Sequence, residues 1–294
     1  MDNRAIGVFD SGLGGLTAMK ELMCLLPKES IVYFGDTGRV PYGTKSNETI
    51  IRYTQGDINF LTSFDLKAII IACGTVSTIA LPTVRKTCPV PLVGVAAPAV
   101  RAAARATKNG RIGIIGTPGT IQSGAYELLL KKQNSEFFTI SRPCALFVPM
   151  VEAGWTDNEV AYLTAKEYLQ PIKDAGVDTL IMGCTHYPHL KRTIARVMGD
   201  GVALIDPGAE TAREAAEHLK EHDMLADGTS REQYRFFSSD CVEDFVQLGS
   251  RFLERPIDGQ VERIDIEKYT PACGTQENRR LEEVGNGFTA GKEC

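Results

Sequence analysis

Two cysteines carry the chemistry this sequence offers. "LKAIIIACGTVS" places Cys73 at the end of an apolar run, and "VDTLIMGCTHYP" does the same for Cys184. A threonine and then a helical pattern follow each, so each thiol is expected near a helix N-terminus. Unpaired N–H groups there favour an anion and are expected to bring a cysteine pKa from about 8.5 toward neutrality. His186, just beyond Cys184, adds a proton partner. One cysteine behind a run such as "IIIA" reads most simply as a buried, inert residue. Two at equivalent places in related halves read instead as thiols reaching one cleft from opposite sides. Opposed acid–base groups suit a 1,1-proton transfer. One thiolate removes a proton from one face of a carbon, the opposite thiol returns a proton to the other face, and chirality inverts. That chemistry needs no cofactor, and no Cys/His spacing suggests a metal site.

The elements that must hold these thiols appear as an alternation. Short β-rich runs at 5–9, 31–34, 66–72, 91–95, 111–115, 177–182 and 202–205 are separated by longer helical patterns. "TDNE" at Thr156–Glu159 reads as a capping box, and Pro82 is expected to split the helix after Cys73. Continuous apolar strands alternating with helices predict an α/β protein with mostly parallel sheets. The chain also resembles itself. "IGVFDSGLGGLTAMKEL" from Ile6 and "IGIIGTPGTIQSGAYELLL" from Ile112 are offset by 106 positions, and the two cysteines by 111. A duplication follows: two pseudo-symmetric α/β domains with the active site in the cleft between them. The first is expected over 1–97 plus 207–255, where a helix and the strand "YRFF" return to it. The second covers 98–206, and 256–294 reads as a polar tail. Both cysteines then lie outside strand carboxyl ends, where parallel sheets bind ligands.

Composition narrows the classes. The 294 residues suit two domains, and 43% hydrophobic with 23% charged residues is a globular balance. A net charge of -5 with scattered basic residues argues against nucleic acid or a membrane surface. No apolar run approaches the ~18 residues of a membrane span. The N-terminus shows no leader, and the eight cysteines form no C-x-x-C pair, so free thiols in a reducing cytoplasm are expected. "GLGGLT" at 12–17 approaches a dinucleotide fingerprint, with Asp36 near the ribose position. Thr17 replaces the last glycine, however, and Asp10 would repel a pyrophosphate, so a small carboxylate ligand fits better. His218 and His222, four apart on a charged helix, read as a solvated face rather than a metal pair.

"VFDSGLGGLT", "FGDTGRVPYG", "ACGTVS", "GCTHYP" and "VEAG" together resemble the cofactor-independent glutamate racemases of the aspartate/glutamate racemase family, in order over roughly residues 5–255. The resemblance implies two α/β domains, interconversion of L- and D-glutamate to supply peptidoglycan, no cofactor and a homodimer. It implies Cys73 and Cys184 as the catalytic thiols, Asp10 assisting near Cys73, His186 assisting Cys184, and Asp36 and Glu152 as further acids at the margin. Substrate binding would fall to Asp10, Ser11, Tyr42, Gly43, Gly74, Thr75, Thr185 and His186. Those roles are chemically reasonable. Hydroxyls and backbone N–H groups suit an α-carboxylate, Asp10 suits an α-ammonium, and the Pro41–Gly43 turn brings N–H groups close to a ligand. Asp36 and Glu152 read equally well as caps or partners of a base.

One position departs from the family. Gly74 stands where the family usually has asparagine, so a side-chain donor is missing. No N-terminal extension of the kind tied to activation by a cell-wall precursor is expected. Three alternatives stay open: aspartate racemase, a binding or regulatory protein that lost turnover through Gly74, and a redox protein cycling Cys73 and Cys184 as a disulfide.

Overall fold

The computed structural model describes residues 1–229, 233–257 and 261–271. The first half runs β1 (Ala5–Asp10), α1 (Leu16–Leu25), β2 (Ile31–Gly35), α2 (Asn47–Leu61), β3 (Leu66–Ile71), α3 (Gly74–Ile79), α4 (Leu81–Val84), β4 (Leu92–Gly94) and α5 (Ala96–Ala106). The second runs β5 (Arg111–Gly116), α6 (Pro118–Gln122), α7 (Ala125–Gln133), β6 (Phe138–Pro143), α8 (Phe147–Glu152), α9 (Glu159–Asp174), β7 (Thr179–Gly183), α10 (Lys191–Met198) and β8 (Ala203–Ile205). The chain then returns through α11 (Pro207–Glu221), β9 (Tyr234–Ser238), α12 (Val242–Leu253) and β10 (Val261–Arg263).

Two sheets result, and among the described residues every strand pairing is parallel. The larger has the order β10-β9-β2-β1-β3-β4 and the smaller β6-β5-β7-β8. Helices cover both faces, so inner strands such as "AIGVFD" and "TLIMG" are buried almost throughout. The order β2-β1-β3-β4 recurs as β6-β5-β7-β8, which is the pseudo-symmetry expected from the repeat. Strand order reverses between β1 and β3 in one sheet and between β5 and β7 in the other. At each reversal the loops diverge to opposite faces and leave a crevice at the strand carboxyl ends. Cys73 follows β3 and Cys184 follows β7, so one thiol stands at each crevice. Helix α11 packs against α1 of the first sheet and against α5, which itself packs on β7 and α7 of the second, and so ties the halves together.

Local chemistry accounts for the element ends. Pro82 sits in the first turn of α4, where a missing N–H costs nothing, and the helix after Cys73 breaks at Ala80 as expected. The capping box is a correction. Helix α9 starts at Glu159 because the Asn158 side chain accepts from Ala161 N at 2.9 Å. The Thr156 carbonyl instead accepts from Thr193 Oγ1 at 2.7 Å. Strand β6 went unseen in the sequence because it is a half-exposed edge strand with no apolar run.

The segment read as a polar tail from 256 is also corrected. Residues 261–263 add a sixth strand to the larger sheet, and the chain beyond it packs back. Ile266 is buried, and Tyr269 meets Phe60 edge-on at 5.2 Å. A few apolar anchors suffice there although the average composition is polar. Residues 272–294 of that tail, Cys273 and Cys294 included, lie outside the described residues. No helix among the described residues is long and apolar enough to cross a membrane.

Candidate active site between the two halves

Cys73 is the N-cap residue of α3, and Ser11, just past β1, sets its hydroxyl 3.3 Å from the sulfur. Cys184 lies on the other half. Its sulfur stands 4.0 Å from His186 Nδ1, and His186 Nε2 stands 3.2 Å from Glu152 Oε1 at the end of α8. With Glu152 accepting from Nε2–H, Nδ1 is left to accept from the Cys184 thiol. The His186 ring is held edge-on against Phe252 of α12, 5.0 Å between centroids. Each thiol thus has its own partner: a hydroxyl for Cys73, an imidazole backed by a carboxylate for Cys184.

The thiols are not acidified, contrary to the expectation from helix N-termini. Burial pushes Cys73 up to about 11, and nearby Asp10 adds to this against the hydrogen bonds from Ser11 and the Val76 amide. Cys184 is pushed up further by burial, with Cys73, Asp10 and Glu152 adding to the rise. Two features explain why the dipole loses. Helix α3 is short, and Cys184 is followed by a 3-10 turn at Tyr187–Leu190 rather than an α-helix. Both residues are buried and both are free thiols.

Asp10 lies between these groups at the end of β1. One carboxyl oxygen accepts from Gly12 N at 2.9 Å, while the other is buried without a partner. Burial raises its pKa against the pull of His186 and the amides of Gly12, Gly14 and Gly15. An unpaired buried carboxyl oxygen costs stability unless a cation or donor meets it during function.

The two halves meet closely at these loops. Thr17 Oγ1 donates to the Thr185 carbonyl at 3.2 Å, and a Cβ on Gly14 would overlap Thr185 Oγ1 and come 2.7 Å from His186 Nδ1. Thr75 Oγ1 lies 2.9 Å from Thr117 Oγ1 and 3.3 Å from Thr120 Oγ1, and those two are 2.9 Å apart. Thr117 and Thr120 were not picked out from the sequence. The repeat held the signal for the first, since Thr117 stands 106 positions after Ser11. Gly43 backs onto the same cluster: a Cβ there would come 2.9 Å from Thr117 Cβ. A cavity reaching Cys184, Thr185, Gly74 and Gly183 between the halves has room for about one water.

Asp36 and Tyr42 are drawn into a different arrangement. Asp36 accepts from Arg39 Nε and Ser239 Oγ, both at 2.7 Å, and from the Tyr42 hydroxyl. Asp57 of α2 takes Arg39 Nη2 at 2.7 Å and the same Tyr42 hydroxyl at 3.0 Å. Both carboxylates are fully buried, and burial beside Asp36 raises the Asp57 pKa well above the usual range. The Tyr42 hydroxyl is thereby committed within its own half, and the cluster braces the loop that carries Gly43. His189 meets Phe252 edge-on at 4.5 Å, and burial beside His186 lowers its pKa to about 4.

Comparison with known proteins fits this geometry. The sequence model of the family described as Asp/Glu/Hydantoin racemase matches residues 23–215. The chain belongs to that racemase family. The glutamate racemase of Geobacter metallireducens is 48% identical over 264 residues, spanning 90% of this chain and 97% of its own. Among solved structures, the glutamate racemase of Francisella tularensis in complex with D-glutamate superposes with a TM-score of 0.85 at 40% identity, covering 92% of this chain and 100% of that one. The Escherichia coli glutamate racemase in complex with L-glutamate and the activator UDP-MurNAc-ala has a TM-score of 0.74 at 29% identity, covering 89% and 98%. This racemase is therefore an isomerase, and the cleft is where its chemistry is to be sought.

Proposed function

We propose that this racemase interconverts L- and D-glutamate by passing a proton between the substrate and two thiols, Cys73 and Cys184. The observation that carries the reading is their placement after equivalent strands of two halves with one strand order, each beside its own hydrogen-bonding partner. Relatives bound to D-glutamate and to L-glutamate support the choice of substrate.

One thiolate takes the α-proton, forming S–H as C–H breaks, and the electron pair stays on the substrate carbon and its carboxylate. The opposite thiol then gives its proton to the other face and becomes the thiolate. The substrate leaves inverted, the thiols have exchanged protonation states, and no electrons are gained or lost. The raised thiol pKa values serve this step, because a weakly acidic thiol makes a strongly basic thiolate and narrows the gap to a weakly acidic C–H. Ser11, Thr75, Thr117, Thr120 and Thr185 provide hydroxyls for the substrate carboxylates. Asp10, ionised by a partner for its free oxygen, receives the ammonium. Glu152 orients His186, and Asp36 braces the Tyr42–Gly43 loop rather than moving protons. The reading extends to two domains, with 98–206 as the second, and to a cytoplasmic homodimer that supplies D-glutamate for peptidoglycan.

The test is circular dichroism of L-glutamate with purified enzyme and no pyridoxal phosphate, with L-aspartate in parallel. The glutamate signal is expected to decay to zero, with solvent deuterium entering Cα. Cys73→Ser and Cys184→Ser are each expected to stop the decay, because inversion needs a proton donor on the face opposite the base. Ordinary turnover in either variant would remove that thiol from the mechanism, and faster decay with aspartate would overturn the substrate.

A further inference from the structure

We propose that helix α12 holds the proton partner of Cys184 in place from across the cleft, with Phe252 and Arg251 as positioning residues. Helix α12 belongs with the larger sheet, packing against α1 and β10, whereas Cys184, His186 and Glu152 lie on the half built on the smaller one. The two residues reach over together. The Phe252 ring lies edge-on to His186 at 5.0 Å and to His189 at 4.5 Å between centroids, and Arg251 Nη2 donates to the Glu152 carbonyl at 2.8 Å.

His186 needs such a hold. The terminal torsion of a histidine is broad and two-fold, so its rotamer alone does not aim the ring. The separation of 4.0 Å between Cys184 Sγ and Nδ1 is long for a hydrogen bond, so a small rotation breaks it. Thr185 Oγ1, 3.4 Å from the same nitrogen, competes for it. Glu152 is half-exposed, and a bond from Nε2 to a carboxylate in water fixes little by itself. Phe252, 2% exposed, supplies an apolar wall against the ring. His186 and His189 belong to one 3-10 turn at Tyr187–Leu190, in which the His189 N–H donates to the His186 carbonyl at 3.2 Å. A ring packed on both therefore fixes the turn as well as the imidazole. Arg251 completes the hold at the last turn of α8, where helix carbonyls lack partners and a cation is favoured.

The two thiols differ in this respect. Ser11 and Cys73 follow neighbouring strands of one sheet, so that pair is complete within one half. The Cys184–His186 pair is aligned only while the halves are together, and closing the cleft over a substrate assembles it. This inference rests on the two-thiol reading for its effect on turnover, but not for its effect on the imidazole. The experiment compares Phe252→Leu and Arg251→Met with Phe245→Leu, a similarly buried ring of the same helix that packs on Tyr33 and Phe236 instead. Circular dichroism gives kcat and KM from each enantiomer of glutamate, and ring-nitrogen NMR spectra at mildly alkaline pH report the His186 tautomer.

At saturation the ratio of the two kcat values reports how charge is shared between unequal thiols, while the equal energies of the enantiomers make kcat/KM fall alike in both directions. A general base in place contributes at least about 100-fold, and a misaligned one is expected to forfeit roughly tenfold of it. The kcat ratio is therefore expected to skew about tenfold in Phe252→Leu and less in Arg251→Met. Ser11→Ala, which weakens Cys73 instead, is expected to skew it the opposite way. His186 is expected to show one Nε2–H tautomer in the parent and in Phe245→Leu, and an average of both tautomers in the two test variants. An unchanged His186 spectrum in Phe252→Leu would overturn the proposal. Equal averaging in Phe245→Leu would overturn it too, since the helix as a whole would then matter. If Phe252→Leu fails to fold, Arg251→Met, exposed on the same helix, decides by the same two readouts. An averaged tautomer with an unskewed kcat ratio would uphold the hold on His186 and tell against the two-thiol reading instead.

Discussion

Ser11→Ala isolates the electrostatics of one thiol. The Ser11 hydroxyl lies 3.3 Å from Cys73 Sγ and opposes the burial that carries this thiol up to about 11. A hydrogen bond to a charged acceptor contributes about 1.5–3 kcal/mol, which corresponds to roughly 1–2 pH units. Without it Cys73 is expected to titrate higher by that amount, and its thiolate population at any lower pH falls about 10- to 100-fold. The assay is iodoacetamide labelling of Cys73 from pH 7 to 9, where the fold keeps its stability, in a Cys184→Ser background, with exposed Cys24 as internal reference. The rising limb is expected to move toward alkaline pH, with kcat/KM of the otherwise intact enzyme falling in parallel and recovering as pH rises. Ser11→Thr, which keeps a hydroxyl, is expected to restore most of both. The small cavity left by the substitution would by itself speed labelling, so access and charge push in opposite directions. An unmoved or acid-shifted limb in Ser11→Ala would refute the assignment of Ser11 as the group that stabilises the Cys73 thiolate.

Base should unfold this protein. Cys73, Cys144 and Cys184 all have folded pKa values raised by burial, so below the unfolded value of 9 both states hold the proton and stability is unaffected. Above it the unfolded chain releases protons that the folded one retains, and about 1.4 kcal/mol is lost per pH unit for each thiol until its folded pKa is reached. The melting temperature is expected to fall steeply above pH 9 and less steeply in Cys144→Ala, after allowance for the small cavity; parallel slopes would refute this. Arg39→Met leaves Asp36 and Asp57 buried without their cation and is expected to cost about 3–5 kcal/mol in denaturant unfolding. Thr117→Val removes the hydroxyl that joins Thr75 to Thr120 and caps α6. It is expected to raise KM for glutamate at least tenfold with a smaller change in kcat, and an unchanged KM would take Thr117 out of the binding set.

What the sequence determined by itself was periodicity and chemistry. Apolar runs alternating with helical patterns specify a parallel α/β protein because strands buried on both faces must be continuously apolar. The repeat offset placed Cys73 and Cys184 at matching strand ends, and the matching strand orders of the two sheets are its structural counterpart. Sparse signals were missed for the same reason. The edge strand β6 is held by its ladder to β5, and the 261–271 segment by a few contacts, all supplied from elsewhere in the chain, which no local window contains.

Only tertiary structure decided the electrostatics and the clearances. The expectation of acidic thiols used the helix ends visible in sequence. Desolvation outweighs them, and desolvation depends on how deeply the folded chain buries each sulfur. Likewise Tyr42 and Asp36 look free in "FGDTGRVPYG", yet Asp57 and Ser239, distant in sequence, complete their cluster. Gly74 is the sharpest case. In sequence it marks a missing amide, whereas in the fold it lies close against the Gly183 carbonyl, because the space at a residue belongs to its neighbours in the fold rather than to its neighbours in the chain.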